Sequence, residues 1–295
     1  MGSQGVMEDR EKCDRVPLTF VVPVNDRAIL EKNLLLSPGL KRPDGPRLLV
    51  QEGFRSAAAA YNNAIDKATN DFVIFVHQDV YLPESWLSDL QIALGFMDQI
   101  DPAWGVLGCW GITERGQARG FLYTTDQGVI GDSFKEPVPV QTLDEVVLVL
   151  RRSSGLRFDM GLQGWHFYGT DICMTAASQG MKSYAISAFC VHNTKDLTLA
   201  LPKSFYQCYR HVKRRWRQYL PIHTSCTTIS RFDWEIRQYR LKQYCFGIVG
   251  VTRGGASRVD DPIKVFEELR SLGALDGGRT RATDIPLDAG STEIR

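Results

Sequence analysis

The chain has 295 residues, 43% of them hydrophobic and 23% charged, and a formal net charge of +1, which is ordinary for a globular protein and excludes attraction to nucleic acid or membranes through bulk charge. No apolar stretch approaches the roughly 20 residues that span a bilayer, and Met1-Gly2-Ser3-Gln4-Gly5 offers neither an apolar signal core nor a myristoylation pattern, so the expected location is cytoplasmic. Seven cysteines (13, 109, 173, 190, 208, 226 and 245) are odd in number, widely spaced and lack a CxxC pair, which predicts reduced, mostly buried thiols and neither a zinc site nor a disulfide frame.

Residues 1–15 are polar and charged and read as a flexible arm. Leu18 to Val24 is the first strand; Pro23 near its end limits pairing there and suits a strand that opens into Asn25-Asp26. A helix over 27–36 and a Pro/Gly-rich turn from Ser37 to Pro46 lead to a second strand, Arg47 to Val50, ending in Gln51-Glu52-Gly53. Ser56 then caps an alanine-rich helix whose small residues permit close approach to a sheet.

The most informative stretch is Phe72-Val73-Ile74-Phe75-Val76 running into His77-Gln78-Asp79. An apolar run without alternation fits a central strand covered by helices on both faces. In open α/β sheets the ligand lies beyond such strand ends, so chemistry is expected near Asp79. A helix over 87–97, a buried strand over 104–111, a turn-rich segment over 112–142 and a strand over 145–150 follow. Gly164-Trp165-His166-Phe167-Tyr168-Gly169-Thr170-Asp171 then precedes a helix over 172–178, and a strand over 183–191 ends in His192-Asn193. Strands alternating with helices predict an α/β fold with a parallel sheet.

Beyond Leu201 aromatics and bases interleave through Arg210 to Arg217, predicting one helix with a basic face packed on the main domain. That face could close over a diphosphate, hold an anionic acceptor, touch a membrane surface, or simply be solvated. The divisions expected are an arm over 1–15, a main domain over 16–200, a helical basic and aromatic extension over 201–250, and a short helix (262–272) with a flexible tail over 251–295.

Taken together, the order of motifs over about residues 16–200 resembles the family-2 type of glycosyltransferase. Its helix motif, Ala-Arg-Asn-x-Gly-Ile, stands here as Ala60-Tyr61-Asn62-Asn63-Ala64-Ile65, and its metal motif, Asp-x-Asp, falls on His77-Gln78-Asp79, as in a subgroup that carries His-Gln-Asp. The resemblance implies the GT-A (nucleotide-diphospho-sugar transferase) fold, a Rossmann-like mixed sheet flanked by helices, with a C-terminal helical extension. It also implies a nucleotide-sugar donor, UDP-linked, a hydroxyl acceptor and a divalent metal.

A cation held by a carboxylate neutralises the charge of a departing diphosphate, and Asp79 is the expected ligand. His192 occupies the place where a family histidine completes the metal site. With His77 it favours Mn²⁺ over Mg²⁺, because magnesium prefers oxygen donors. The alternative is that both histidines only cap strand ends. Pro23, Asn25, Glu52, Arg55 and Asn62, with the triplet His77, Gln78 and Asp79, are the expected donor-binding residues.

Inverting transfer needs a base on the acceptor side. Asp171 matches the aspartate of the family's Gly-Glu-Asp element, with Thr170 in place of the glutamate. It could instead be a plain helix cap, in which case His166 is the next base. Trp165, His166 and Tyr168 either stack on a sugar or pack in the core. Two other functions remain open: a sugar nucleotidyltransferase, although Pro23 to Arg27 lacks the glycine-rich phosphate loop of that class, and a non-catalytic nucleotide- or glycan-binding module on the same fold.

Overall fold

A computed structural model describes residues 16–195, 201–249 and 258–275, with the backbone alone over 242–249. The expected arm at 1–15 and the end of the tail, from 276, lie outside the described residues, as do Cys13 and the side chain of Cys245.

The strands are β1 (Leu18–Val24), β2 (Arg47–Glu52), β3 (Phe72–Val76), β4 (Val80–Tyr81), β5 (Val106–Gly108), β6 (Trp110–Ile112), β7 (Ala118–Thr124) and β8 (Gly128–Gly131). They continue as β9 (Val138–Val140), β10 (Thr142–Leu143), β11 (Val147–Arg151), β12 (Ser183–Ala185), β13 (Val191–His192), β14 (Ile222–His223) and β15 (Thr228–Ile229). The α-helices are α1 (Arg27–Lys32), α2 (Ala57–Lys67), α3 (Trp86–Ile100), α4 (Tyr168–Ser178), α5 (Lys203–Arg215), α6 (Trp234–Val249) and α7 (Pro262–Ser271).

The main sheet has seven strands in the order β2-β1-β3-β11-β5-β12-β9. β3 is an interior strand, and its alternation divides the core. Val73 and Phe75 join the cluster under α2, α4 and α5, whereas Ile74 and Val76 join the one under α3. A strand buried on both faces has no reason to alternate polar with apolar, which explains its continuous run. The sheet is mixed, not parallel throughout: β1 pairs in parallel with β2 and β3, but β11 runs antiparallel to both β3 and β5. The Rossmann-like mixed sheet flanked by helices is therefore the architecture present.

A second sheet, in the order β10-β6-β7-β13-β4, lies beyond the strand ends of the first. Two strands that the sequence predicts as continuous are each split between the sheets. The 104–111 run breaks at Cys109 into β5 and β6, and the 183–191 run breaks into β12 and β13. Apolar pattern continues across both breaks because residues such as Cys109, Ala188 and Cys190 are buried on either side of them.

The helical extension is not a separate body. Phe205, Cys208, Tyr209, Val212 and Trp216 share the core of α2 and α4. Helix α7 covers the second sheet through Val265 and Leu269, against Tyr81, Tyr123 and Val191. No helix among the described residues is long and apolar enough to cross a membrane. Cys109, Cys173, Cys190 and Cys208 are buried thiols as expected, while Cys226 is exposed.

Candidate active site at the junction of the two sheets

Strand β3 delivers His77-Gln78-Asp79 to the edge of the main sheet, and the chain re-enters the second sheet at once as β4. Because β4 pairs antiparallel with β13, with Val80 opposite His192, a histidine more than one hundred residues away in sequence lands beside Asp79. The peptide N–H of Asn193 donates to the Asp79 carbonyl at 2.8 Å and fixes that register.

The result is a compact donor set. One ligand atom each from His77, Asp79 and His192 lie within 4.8 Å of one another. His192 Nε2 is 3.5 Å and His77 Nδ1 4.0 Å from Asp79 Oδ1. Two donors about 2.1 Å from one cation and at right angles lie about 3 Å apart, so small side-chain rotations close this set around an ion. The chemistry also fits: two imidazoles and a carboxylate suit Mn²⁺ better than Mg²⁺.

Outer contacts prepare the set. His77 Nε2 lies 2.7 Å from the Tyr168 hydroxyl, which turns Nδ1 toward Asp79. Burial pushes the Asp79 carboxyl up, but the hydrogen bond and charge of His192, with those of His77 and Arg258, outweigh it and hold the group well below the usual carboxylate range. Burial would also lower His192, yet Asp79 raises it above the ordinary histidine value; His77 is lowered, chiefly by burial. Tyr168→Phe removes the partner that orients His77, and partners of this kind are worth about 10–100-fold in metal affinity. Calorimetric titration with Mn²⁺ is expected to show a loss of that order with the fold intact.

A cleft of about 680 Å³ opens on this set and reaches the ends of β1 and β2. Pro23, Asn25, Glu52, His77, Gln78 and Asp79 all line it, as do Trp165 from the loop before α4 and Tyr168 at the start of that helix. Gln78 does not point at a cation; its amide brackets Asn25 and so fixes the β1 loop. The Glu52 carboxylate is held by Arg27 through two contacts of 2.8 Å.

Four expected residues stand elsewhere. Asn62 clamps the backbone of Phe158 with two hydrogen bonds, of 2.9 and 3.0 Å, and braces α2 outside the cleft. Arg55 is exposed and is not part of the cleft wall. His166 is half-buried with its ring edge against Phe205, also off the wall. Asp171 is the largest departure. Helix α4 begins at Tyr168, after Phe167 at a left-handed φ of 63°, so Asp171 sits inside the first turn rather than at the cap. Its carboxylate is 2% exposed and is taken by Arg215 Nη1 and Trp216 Nε1, each at 2.7 Å. Burial pushes this carboxyl up to about 6 against the pull of Arg215 and Trp216.

The basic segment is therefore partly internal: Arg215 also meets Asp159, as does His211, and Lys213 meets Asp233. Arg210, Arg214 and Arg217 are exposed.

One cleft residue carries no sequence signal. Arg258 donates from Nη2 to Asp79 Oδ2 at 3.1 Å and from Nε to the Asn193 carbonyl at 3.0 Å. Asn193 in turn binds Asn33 and the backbone of Val259, tying the C-terminal segment to the site.

Residues 19–212 match the family described as "Glycosyltransferase like family". The chain is 26% identical over 168 residues to the "ATP synthase subunits region ORF 6" protein of Fuscovulum blasticum, covering 55% of this chain and 66% of that protein, just under two thirds of its length. Among solved structures it is similar to Staphylococcus aureus TarS in complex with UDP-GlcNAc, with 17% identity, a TM-score of 0.43, and coverage of 67% of this chain and 66% of that one. It is also similar to the mannosyltransferase PcManGT of Pyrobaculum calidifontis in complex with GDP-Man and Mn²⁺, with 13% identity, a TM-score of 0.43, and coverage of 92% and 83%.

Proposed function

We propose that the chain, which belongs to the glycosyltransferase-like family matched over residues 19–212, is a sugar transferase that moves a sugar from a nucleoside-diphosphate donor, UDP-linked, to an acceptor hydroxyl with inversion and with the help of Mn²⁺. The observation that carries this reading is the convergence of Asp79, His77 and His192 beside the 680 Å³ cleft, with Asp79 and His77 on its wall. A binding module has no need of three converging metal-capable donors there, Asp79 buried and both histidines half-buried, with His77 held by Tyr168 and Asp79 by Arg258.

The cation, held by these three side chains, would offset the negative charge that the diphosphate gains as it leaves. The protein's own residues do the rest. Asn25 and Glu52 at the strand ends face the nucleoside, with Gln78 and Arg27 holding them in place. Trp165 offers an aromatic face, 36% exposed, to the sugar. Arg258, already within reach of Asp79, supplies a second positive charge for the diphosphate oxygens. Both carboxylates of the cleft wall are engaged, Glu52 by Arg27 and Asp79 by the histidines and Arg258. Neither is free to form a covalent sugar intermediate, which favours a single displacement and inversion.

The test is calorimetry of UDP and GDP with and without Mn²⁺, at several pH values. UDP is expected to bind tightly only with Mn²⁺. A protonated imidazole cannot hold a metal, and Asp79 keeps His192 protonated to higher pH than an ordinary histidine, whereas burial shifts His77 toward its neutral form. Metal binding must therefore displace a proton from His192. Mn²⁺ affinity rises with pH until His192 has lost its proton, at a pH above that at which an ordinary histidine does, and then levels off. Equal UDP binding in EDTA, or affinity independent of pH, would count against the assignment.

A further inference from the structure

His192 does not line the donor cleft; it lines a second cavity, of about 550 Å³, at the junction of the second sheet with α5 and α6. Three carboxylates face this space: Asp126 after β7, Asp144 between β10 and β11, and Glu235 on α6. Trp110, Phe205 and Tyr239 contribute aromatic surface, and among the described residues of its wall there is no lysine or arginine. The two cavities thus meet at the Asp79–His192 pair, one on each side of it.

Asp144 is built into place. Its Oδ1 accepts from Val146 N at 3.2 Å and its Oδ2 from Ser225 Oγ at 2.6 Å. The Val146 carbonyl accepts from His77 N at 3.2 Å, so the segment carrying Asp144 is fastened to the metal-capable triplet. Helix α4 presses on the same segment through Gly169: a Cβ there would stand 2.7 Å from the Leu143 carbonyl oxygen, so a larger residue would push Asp144 out of position.

Resting on the transferase function proposed above, we infer that this second cavity is the acceptor site, that it takes an uncharged or amine-bearing saccharide, and that Asp144 is the base. Carboxylates accept hydrogen bonds from hydroxyl or ammonium groups, and aromatic rings pack against the apolar face of a sugar ring. A phosphorylated or uronic-acid acceptor would instead meet three carboxylates and, among the described residues of the wall, no lysine or arginine to pair with it, a repulsive arrangement. In the reaction the acceptor oxygen bonds to the anomeric carbon as the bond from that carbon to the diphosphate oxygen breaks. The electron pair of the broken bond leaves with the nucleoside diphosphate, and the hydroxyl proton passes to the Asp144 carboxylate.

The test uses the full chain with Mn²⁺ and UDP and measures saturation-transfer NMR on methyl glucoside, methyl glucosaminide, glucose 6-phosphate and glucuronic acid. The two uncharged or amine-bearing sugars should be saturated and the two anions should not. Cys226→Trp, which fills the cavity from its wall, should reduce that signal at least fivefold while UDP affinity stays within twofold. Asp144→Asn should keep sugar binding but lower transfer to the better-bound glycoside by on the order of 10²–10³-fold.

Unchanged saturation in Cys226→Trp, preference for the anions, or binding of none of the four sugars would overturn the acceptor assignment. Undiminished transfer by Asp144→Asn would overturn its role as base. Failure of the unaltered protein to bind UDP with Mn²⁺ would instead remove the transferase function on which the inference rests.

Discussion

Asp79→Asn is expected to lower kcat/KM for sugar transfer by on the order of 10³-fold and to abolish tight Mn²⁺ binding, in a protein that still folds but melts at a lower temperature. The substitution keeps the side chain's volume but removes the charge that both histidines and Arg258 face. A cation at a departing diphosphate contributes several kcal/mol to the transition state, and about 1.4 kcal/mol corresponds to a factor of ten in rate. Stability should fall somewhat as well, because the partners that hold the Asp79 carboxyl well below its usual range also make its charge stabilise the fold, although the amide keeps a hydrogen bond to Arg258, which is itself partly exposed. Steady-state rates with saturating Mn²⁺, beside a thermal melt, separate the two effects. Full activity with unchanged metal affinity would exclude Asp79 as a ligand.

The second large effect lies at Asp171, and it is on stability. Asp171→Ala strands the Trp216 indole N–H in the core and removes one of the two carboxylates that hold Arg215. Losing one partner of a buried pair costs roughly 3–5 kcal/mol. The lower end applies here because Arg215 keeps Asp159 at 2.7 Å. At about 2–4 °C per kcal/mol for a chain of this size, the melting temperature should drop by roughly 10 °C. Asp171→Asn still offers an oxygen to Trp216 and should fall by less. The decisive comparison is activity per folded molecule at low temperature, which Asp171→Asn is expected to retain. If Asp171 were the base, that variant would lose two or more orders of magnitude in rate without a matching loss of stability.

This contrast shows what the sequence could and could not reveal. Phe72 to Val76 announces itself because a strand covered on both faces must be apolar throughout, and the polar triplet after it must then lie at a strand end. His192 is recognisable for the same reason. The partners of Asp171 lie 44 and 45 residues downstream, in a segment that local pattern reads only as a basic helix, so a buried ion pair and a catalytic carboxylate look alike. Arg258 lies 179 residues from Asp79 and follows a glycine-rich stretch with no periodicity to mark it. Asn62 sits at a family motif position yet serves packing, since its two bonds to Phe158 become visible only once the chain folds back. The split of two predicted strands between two sheets left no trace either, because burial continues across both breaks. That split is nevertheless what creates the junction where the site lies.

In the proposed site Asp79, His77 and His192 hold a cation that also meets the donor's diphosphate. Pulsed electron paramagnetic resonance of the protein with Mn²⁺ and UDP tests it directly. Couplings from imidazole nitrogen and from phosphorus should appear in the same spectrum, with the nitrogen signal reduced in His192→Ala. Phosphorus coupling with no nitrogen coupling in the unaltered protein would mean that the ion rides on the nucleotide alone and that these three side chains are not its ligands.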